Sequence, residues 1–293
     1  MTESSADPEA VLFFGVLSLI ALVIGWKRGF FTFPPAAWLV PLRWFHVVGV
    51  FAIYFATAMF LSPILGSLIR RGFFAGNSTP ELLGYISWVN FLNSVLITAF
   101  ITLFLFALAA PIRQRIWRRE GETSHLKEDM SFALLAWLLS FPLVLFASQL
   151  FDWLVSFLFG VREIPDQIAV QFLKMTFVSP VYLTLSVLTI VLFAPLIEET
   201  LFRGVLQTFI RQHLGSKQAI GITSFLFALF HYSPEQGLAN LPIIGSLLVL
   251  AFFLGFVYEK RGSLFAPIAL HATFNLVSVL NLYFLGGFPK SPI

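Results

Sequence analysis

The sequence predicts an all-α fold, a polytopic transmembrane helical bundle of about eight spans. Three observations predict it. Charged residues make up only 11% of the chain and hydrophobic residues 58%. A soluble domain is nearer a quarter charged, so these charges are too few to coat a soluble body of 32.9 kDa. Mean hydropathy is +0.88, and apolar runs of membrane-crossing length alternate with short polar stretches. The basic residues gather in short clusters between those runs, which is the pattern of a topology signal and not of a nucleic-acid-binding stripe. The net charge of +3 therefore implies no nucleic-acid partner. Membrane lipid is the expected surroundings, in a multi-pass protein of the plasma (cytoplasmic) membrane.

The first apolar run, about 11–26, is short for a full crossing. The residues before it are acidic and carry neither the basic region nor the small-residue cleavage site of a secretory signal, so the run is expected to stay as a mature span. Further spans are expected at about 46–69, 85–112 and 131–160. A polar stretch with Arg162, Glu163, Asp166 and Lys174 follows. Four more spans fall at about 182–209, 217–231, 241–258 and 264–284. The chain divides into N-terminal helices of unassigned role, 1–175, and a core, 180–280, that holds most of the ionisable groups lying inside spans.

In the first part, Asn90 and Asn93 are expected to make interhelical hydrogen bonds. Asp152 is expected at the interfacial end of its helix, and Trp26, Trp44 and Trp153 as interface anchors. Cysteine is absent, which excludes disulfides, thiolate metal sites and a cysteine nucleophile.

The second part carries the chemistry. Glu198 and Glu199 are adjacent carboxylates within an apolar run, and each costs a few kcal/mol at the bilayer centre on insertion scales. Glu199 and Arg203 are four apart with the acid first, the favourable ion-pair order. Glu198 points about 100° away around the helix and can face a cavity. Pro195 just before it removes a backbone donor and can kink the helix. His231 closes the next span, while His271 and Asn275 are four apart on one face of the last. The turn near 211–216 joins two of these helices as a hairpin, and Glu198 and His231 each lie roughly 23 Å from it, so they can meet at one level. A carboxylate, two imidazoles and an amide suit water activation followed by attack on a carbonyl. Glu198, helped by His231, would act as general base, and His271 and Asn275 would donate to the developing oxyanion.

These segments resemble the CPBP family of membrane proteins, which includes the CAAX prenyl endopeptidases and bacterial abortive-infection or bacteriocin-immunity proteins. The family pattern is Glu-Glu-x-x-x-Arg, Phe-x-x-x-His and His-x-x-x-Asn or Asp. Here Glu198-Glu199-x-x-x-Arg203, Phe227-x-x-x-His231 and His271-x-x-x-Asn275 follow in that order, and the run Arg261-Gly262-Ser263-Leu264 resembles a further family motif. The resemblance covers about 180–280. It implies an eight-helix fold and a metal-independent, glutamate-based endopeptidase. Glu198, His231, His271 and Asn275 would be catalytic, with Glu199, Arg203 and Phe227 in support. The implied substrates are CAAX-type prenylated peptides or other membrane-associated peptides.

Three alternatives stand beside it. Glu198, His231 and His271 could be zinc ligands with water as the fourth. The same fold could serve as a non-enzymatic immunity or binding scaffold. Buried Glu and His also mark ion paths, but these polar groups are expected to cluster at one level, not to form a chain across the bilayer. Sidedness has two readings. Counting Lys and Arg places the 113–127 loop in the cytoplasm, both termini outside, and the catalytic level facing away from that loop. The family resemblance implies a site open to the cytoplasm, where CAAX substrates reside.

Overall fold

Among the described residues, seven helices are long and apolar enough to cross a membrane. They are α1 (Pro8–Lys27), α2 (Trp44–Phe73), α3 (Thr79–Ala107), α5 (Leu126–Phe159), α7 (Pro180–Leu214), α9 (Pro234–Arg261, opening with a 3₁₀ turn at Pro234–Ala239) and α10 (Phe265–Leu285). The computed structural model describes residues 8–33, 40–74, 78–118, 126–161 and 164–285. Arg119, Arg162, Glu163 and Lys290, with the first seven residues and much of the 113–127 loop, lie outside the described residues. No strand occurs among the described residues, so the all-α expectation holds.

The eighth apolar helix, α8 (Ser216–Phe230), has 15 residues. At 1.5 Å per residue it is about 22 Å long, short of a hydrocarbon core of about 30 Å. Two further short helices interrupt the loops: α4 (Ala110–Trp117) and α6 (Ile168–Thr176), the second lying in the polar stretch after α5.

Local chemistry sets the boundaries. Ser78 caps α3, its backbone N–H and its hydroxyl both donating to the Glu81 carboxylate, with Pro80 in the first turn. Gly215, at φ +84°, turns α7 into α8 with a single residue, and Gly262, at φ +58°, ends α9 in the left-handed conformation. Trp26 and Trp44 stand exposed at helix ends.

The two parts of the sequence are interleaved. One buried cluster joins Val50, Ile97 and Ile101 to Leu201, Phe202 and Phe227, and another joins Ala133 and Ala136 to Leu254 and Leu270. The Arg261–Ser263 motif clasps the first part. The buried Asp129 of α5 accepts from Arg261 Nε at 3.0 Å and from the Ser263 hydroxyl at 2.6 Å.

One end of the bundle collects most of the described basic residues. There the Leu264 N–H donates to Trp117 O, Lys260 Nζ to Thr32 O, Gln212 Nε2 to Leu42 O, and the Ser216 hydroxyl to Glu259. These bonds bring Arg113, Arg115, Arg118, Lys217, Lys260 and Arg261 to a common level, with Lys27 and Arg43 close in sequence to two of the acceptors.

Candidate active site

The site is built on an irregular stretch of α7. Two π-helical segments, Thr189–Phe193 and Thr200–Gln207, flank the six residues Ala194–Glu199. Such wide turns recur at functional sites. In the first segment the Ala194 N–H reaches back five residues to Thr189 O. The next residue in that register is Pro195, which has no N–H to offer Ile190 O. Asn275 of α10 donates its Nδ2 to that carbonyl at 2.8 Å.

The second π segment aligns a column of side chains. Glu199, Arg203, Gln207 and Arg211 are all buried, and the last three reach α9. Arg203 Nη1 donates to Glu199 Oε1 at 3.1 Å, and its Nη2 donates to Ala251 O at 2.9 Å. Gln207 donates to Gly255 O and Glu259 Oε1, both at 3.0 Å, and Arg211 pairs with Glu259 Oε2 at 3.5 Å. A Cβ on Gly255 would stand 2.7 Å from Gln207 Oε1, so any larger residue there would push that amide aside. The polar groups therefore run from the level of Glu199 to the turn at Ser216, which corrects the expectation that they occupy one level. Arg203 interrupts them as a proton path, because a guanidinium does not give up its proton.

The expected convergence is present. His231 Nε2 lies 3.8 Å from Glu198 Oε2, and His271 Nε2 lies 3.9 Å from the same oxygen. His231 Nδ1 faces Phe227 O at 3.0 Å, and His271 Nδ1 faces Glu199 Oε1 at 2.9 Å. A carbonyl and a carboxylate only accept, so each Nδ1 must carry the hydrogen. In the neutral rings both Nε2 lone pairs then turn toward Glu198, whose Oε2 is buried with no direct hydrogen-bond partner. Glu199 thus has a second contact that i,i+4 spacing did not reveal: it orients His271 as well as pairing with Arg203.

Phe227 is fully buried and packs on both imidazoles, at ring-centroid distances of 4.9 Å from His231 and 5.9 Å from His271. The Arg203 guanidinium lies 4.5 Å from its centroid, within cation–π range. Tyr54 of α2 packs on Phe230 at 5.3 Å and lies within electrostatic reach of Glu198. Sequence reasoning missed Tyr54, since a tyrosine in an apolar run carries no signal of its long-range neighbours.

The remaining polar residues land elsewhere. Asn90 and Asn93 face a cavity of about 680 Å³, and Asn93 Oδ1 has no hydrogen-bond partner, so the interhelical bond expected of that oxygen is not made. Asp152 lines a separate polar cavity of about 320 Å³ with Ser148 and Asp166.

A tetrahedral zinc with ligand bonds near 2.0–2.1 Å would hold Glu198, His231 and His271 with their donor atoms about 3.4 Å apart. The two edges measured are 3.8 and 3.9 Å. No group of three His, Cys, Asp or Glu side chains among the described residues is arranged to hold a metal. Both edges exceed that spacing, and a water can also join polar groups that do not touch directly.

Residues 180–277 match the family described as "Type II CAAX prenyl endopeptidase Rce1-like". The match spans α7 to α10 and includes all three motifs. A curated relative, "Uncharacterized protein YpbD" of Bacillus subtilis (strain 168), is 33% identical over 87 residues, 30% of this chain. The chain spans 40% of that relative's length. No solved structure matches. The second part of this multi-pass membrane protein is thus similar in sequence to CAAX-type membrane endopeptidases.

Proposed function

We propose that the chain is an intramembrane endopeptidase that hydrolyses a peptide bond with a water activated by Glu198 and His231. One observation carries the reading. The Nε2 atoms of His231 and His271 lie 3.8 and 3.9 Å from Glu198 Oε2 and can share one water with it, while each Nδ1 is committed to another acceptor. That water donates one hydrogen to Glu198 and the other to an imidazole. Glu198 takes up the proton as the water oxygen attacks the carbonyl carbon. His271, when it carries a second proton, donates from Nε2 to the developing oxyanion while its Nδ1–H stays on Glu199. Asn275 has one amide hydrogen on Ile190 O and a second for the same oxyanion. The proton held by Glu198 then passes to the leaving nitrogen. Arg203 and Phe227 hold Glu199 and both imidazoles in place.

The family match supports CAAX-type prenylated peptides, or other peptides presented at the membrane, as substrates. The test is cleavage by the purified protein in nanodiscs of farnesylated and unmodified CAAX peptides and of an unbiased peptide library, followed by mass spectrometry. Each assay is run with and without a chelator. Cleavage that persists in chelator and vanishes in Glu198→Gln supports the reading. Loss in chelator with recovery on added zinc would transfer the chemistry to a metal. No cleavage of any substrate would favour the immunity or binding scaffold.

A further inference from the structure

The cavity of about 680 Å³ joins the two parts of the chain. Asn90 and Asn93 of α3 line one wall, Gln171 and Phe172 of α6 another, and Ser186 and Ile190 of α7 a third, with the turn after His231 closing the site side. Two of its lining residues are linked to the site. Ile190 is the residue whose carbonyl Asn275 holds, and Ser233 on the cavity wall is two residues beyond His231.

Three buried polar atoms on this wall have no hydrogen-bond partner: Asn93 Oδ1, Ser186 Oγ and Gln236 Nε2. Ser186 is 4% exposed and Gln236 8%. Buried polar atoms are nearly always paired, so these three ask for a ligand. Their types are complementary. Asn93 Oδ1 only accepts, Gln236 Nε2 only donates, and a serine hydroxyl does either. The Gln236 turn is also rigidly held. Asn240 accepts from the Ser233 N–H at 3.0 Å and donates to Ser233 O at 2.7 Å and to Gly237 O at 3.0 Å.

A ligand that offers one donor and one acceptor along an extended chain is a polypeptide main chain. An acyl or prenyl tail offers neither and would leave all three atoms unpaired. We infer that this cavity is the peptide-binding cleft, in which Asn93 and Gln236 grip the N–H and C=O of the substrate backbone beside the scissile bond, assisted by Ser186. The inference rests on the endopeptidase reading and gives α3 and α6, outside the matched segment, the task of holding substrate. Recognition through the backbone is tolerant of side chains, so the apolar wall at Ile86, Phe172 and Met175 sets the preference for hydrophobic residues.

The test reads binding apart from turnover. Glu198→Gln protein in nanodiscs is titrated against a fluorescein-labelled pool of short unprenylated peptides and against the same pool N-methylated at every backbone amide, with anisotropy as the readout. The expected result is saturable binding of the first pool and binding about tenfold weaker for the second. Asn93→Leu and Gln236→Leu, each added to Glu198→Gln, should weaken the unmethylated pool by a similar factor. The comparison of the two pools needs no folded variant of the cleft, and Ser186→Ala is a milder second substitution. Equal binding of both pools, no binding of either, or displacement of the peptides by oleate but not by unlabelled peptide would overturn the cleft assignment. Backbone-dependent binding without cleavage by the native chain would keep the cleft and sink the endopeptidase reading. Cleavage with methylation-insensitive binding would do the reverse.

Discussion

Asn275 and Ile190, 85 residues apart, are joined by a 2.8 Å hydrogen bond to the carbonyl that Pro195 leaves without a backbone donor. The bond ties α10 to the π segment just upstream of Glu198, so the residue proposed to serve an oxyanion also fixes the backbone beneath the proposed base. Asn275→Ala should leave Ile190 O unpaired and cost about 1–3 kcal/mol. Pro195→Ala restores an N–H that can reach Ile190 O. The two substitutions should therefore couple: Asn275→Ala costs less in the Pro195→Ala background. Thermal melts of the four proteins in one detergent measure the coupling. Purely additive shifts would mean that Ile190 is not the shared partner.

Glu198 predicts the opposite balance between activity and stability. Its Oε2 makes no direct hydrogen bond, so Glu198→Gln removes the proposed base and little of the packing. Cleavage should fall to background while the melting temperature stays near that of the native chain. His271→Ala should reduce cleavage by about 10²–10³, the range for loss of one oxyanion donor. Undiminished cleavage by purified Glu198→Gln would refute the mechanism.

Arg203 predicts loss of fold before loss of chemistry. Its guanidinium is fully buried, pairs with Glu199, donates to Ala251 O and covers the Phe227 ring. Arg203→Ala leaves Glu199 buried without its cation, and breaking such a pair costs about 3–5 kcal/mol. Its yield and melting temperature should fall well below those of Glu198→Gln. Arg203→Lys keeps the charge but not the two-pronged contact, and should lie between. An Arg203→Ala protein as stable as the native chain would remove the ion pair from the account.

How much of this was legible in the sequence depends on separation along the chain. Glu199 with Arg203, and His271 with Asn275, were readable because helical periodicity places residues four apart on one face. The meeting of Glu198 with His231 followed from counting residues on either side of a one-glycine turn. The Glu199–His271 bond spans 72 residues and was not readable, since no local pattern says which of two adjacent carboxylates faces a distant ring. The π segments were equally hidden, as was the burial of Gln207 and Arg211 on the stretch after Arg203. Arg211 counted in the sequence as a loop cation, yet it lies buried beside Glu259. Composition registers its charge but not its depth.

Sidedness is the last prediction, and the structure sharpens it. The hydrogen bonds from Leu264, Lys260, Gln212 and Ser216 gather most of the described basic residues at one end of the bundle, so the charge asymmetry belongs to a single surface. By the excess of positive charge on the cytoplasmic side, that end is cytoplasmic. His231 ends α8 at the other end, roughly 20 Å away by the length of that helix. The catalytic level and the cavity beside it should therefore open away from the cytoplasm. The chain has no cysteine, so single thiols report cleanly. Gln218 at the basic end and Glu235 beside the site are both exposed. A membrane-impermeant maleimide on intact cells should label Glu235→Cys and spare Gln218→Cys until the membrane is opened. The reverse pattern would place the site toward the cytoplasm, where CAAX-type substrates reside. Charge counting would then have misjudged this chain because the 15-residue α8 does not cross the full bilayer.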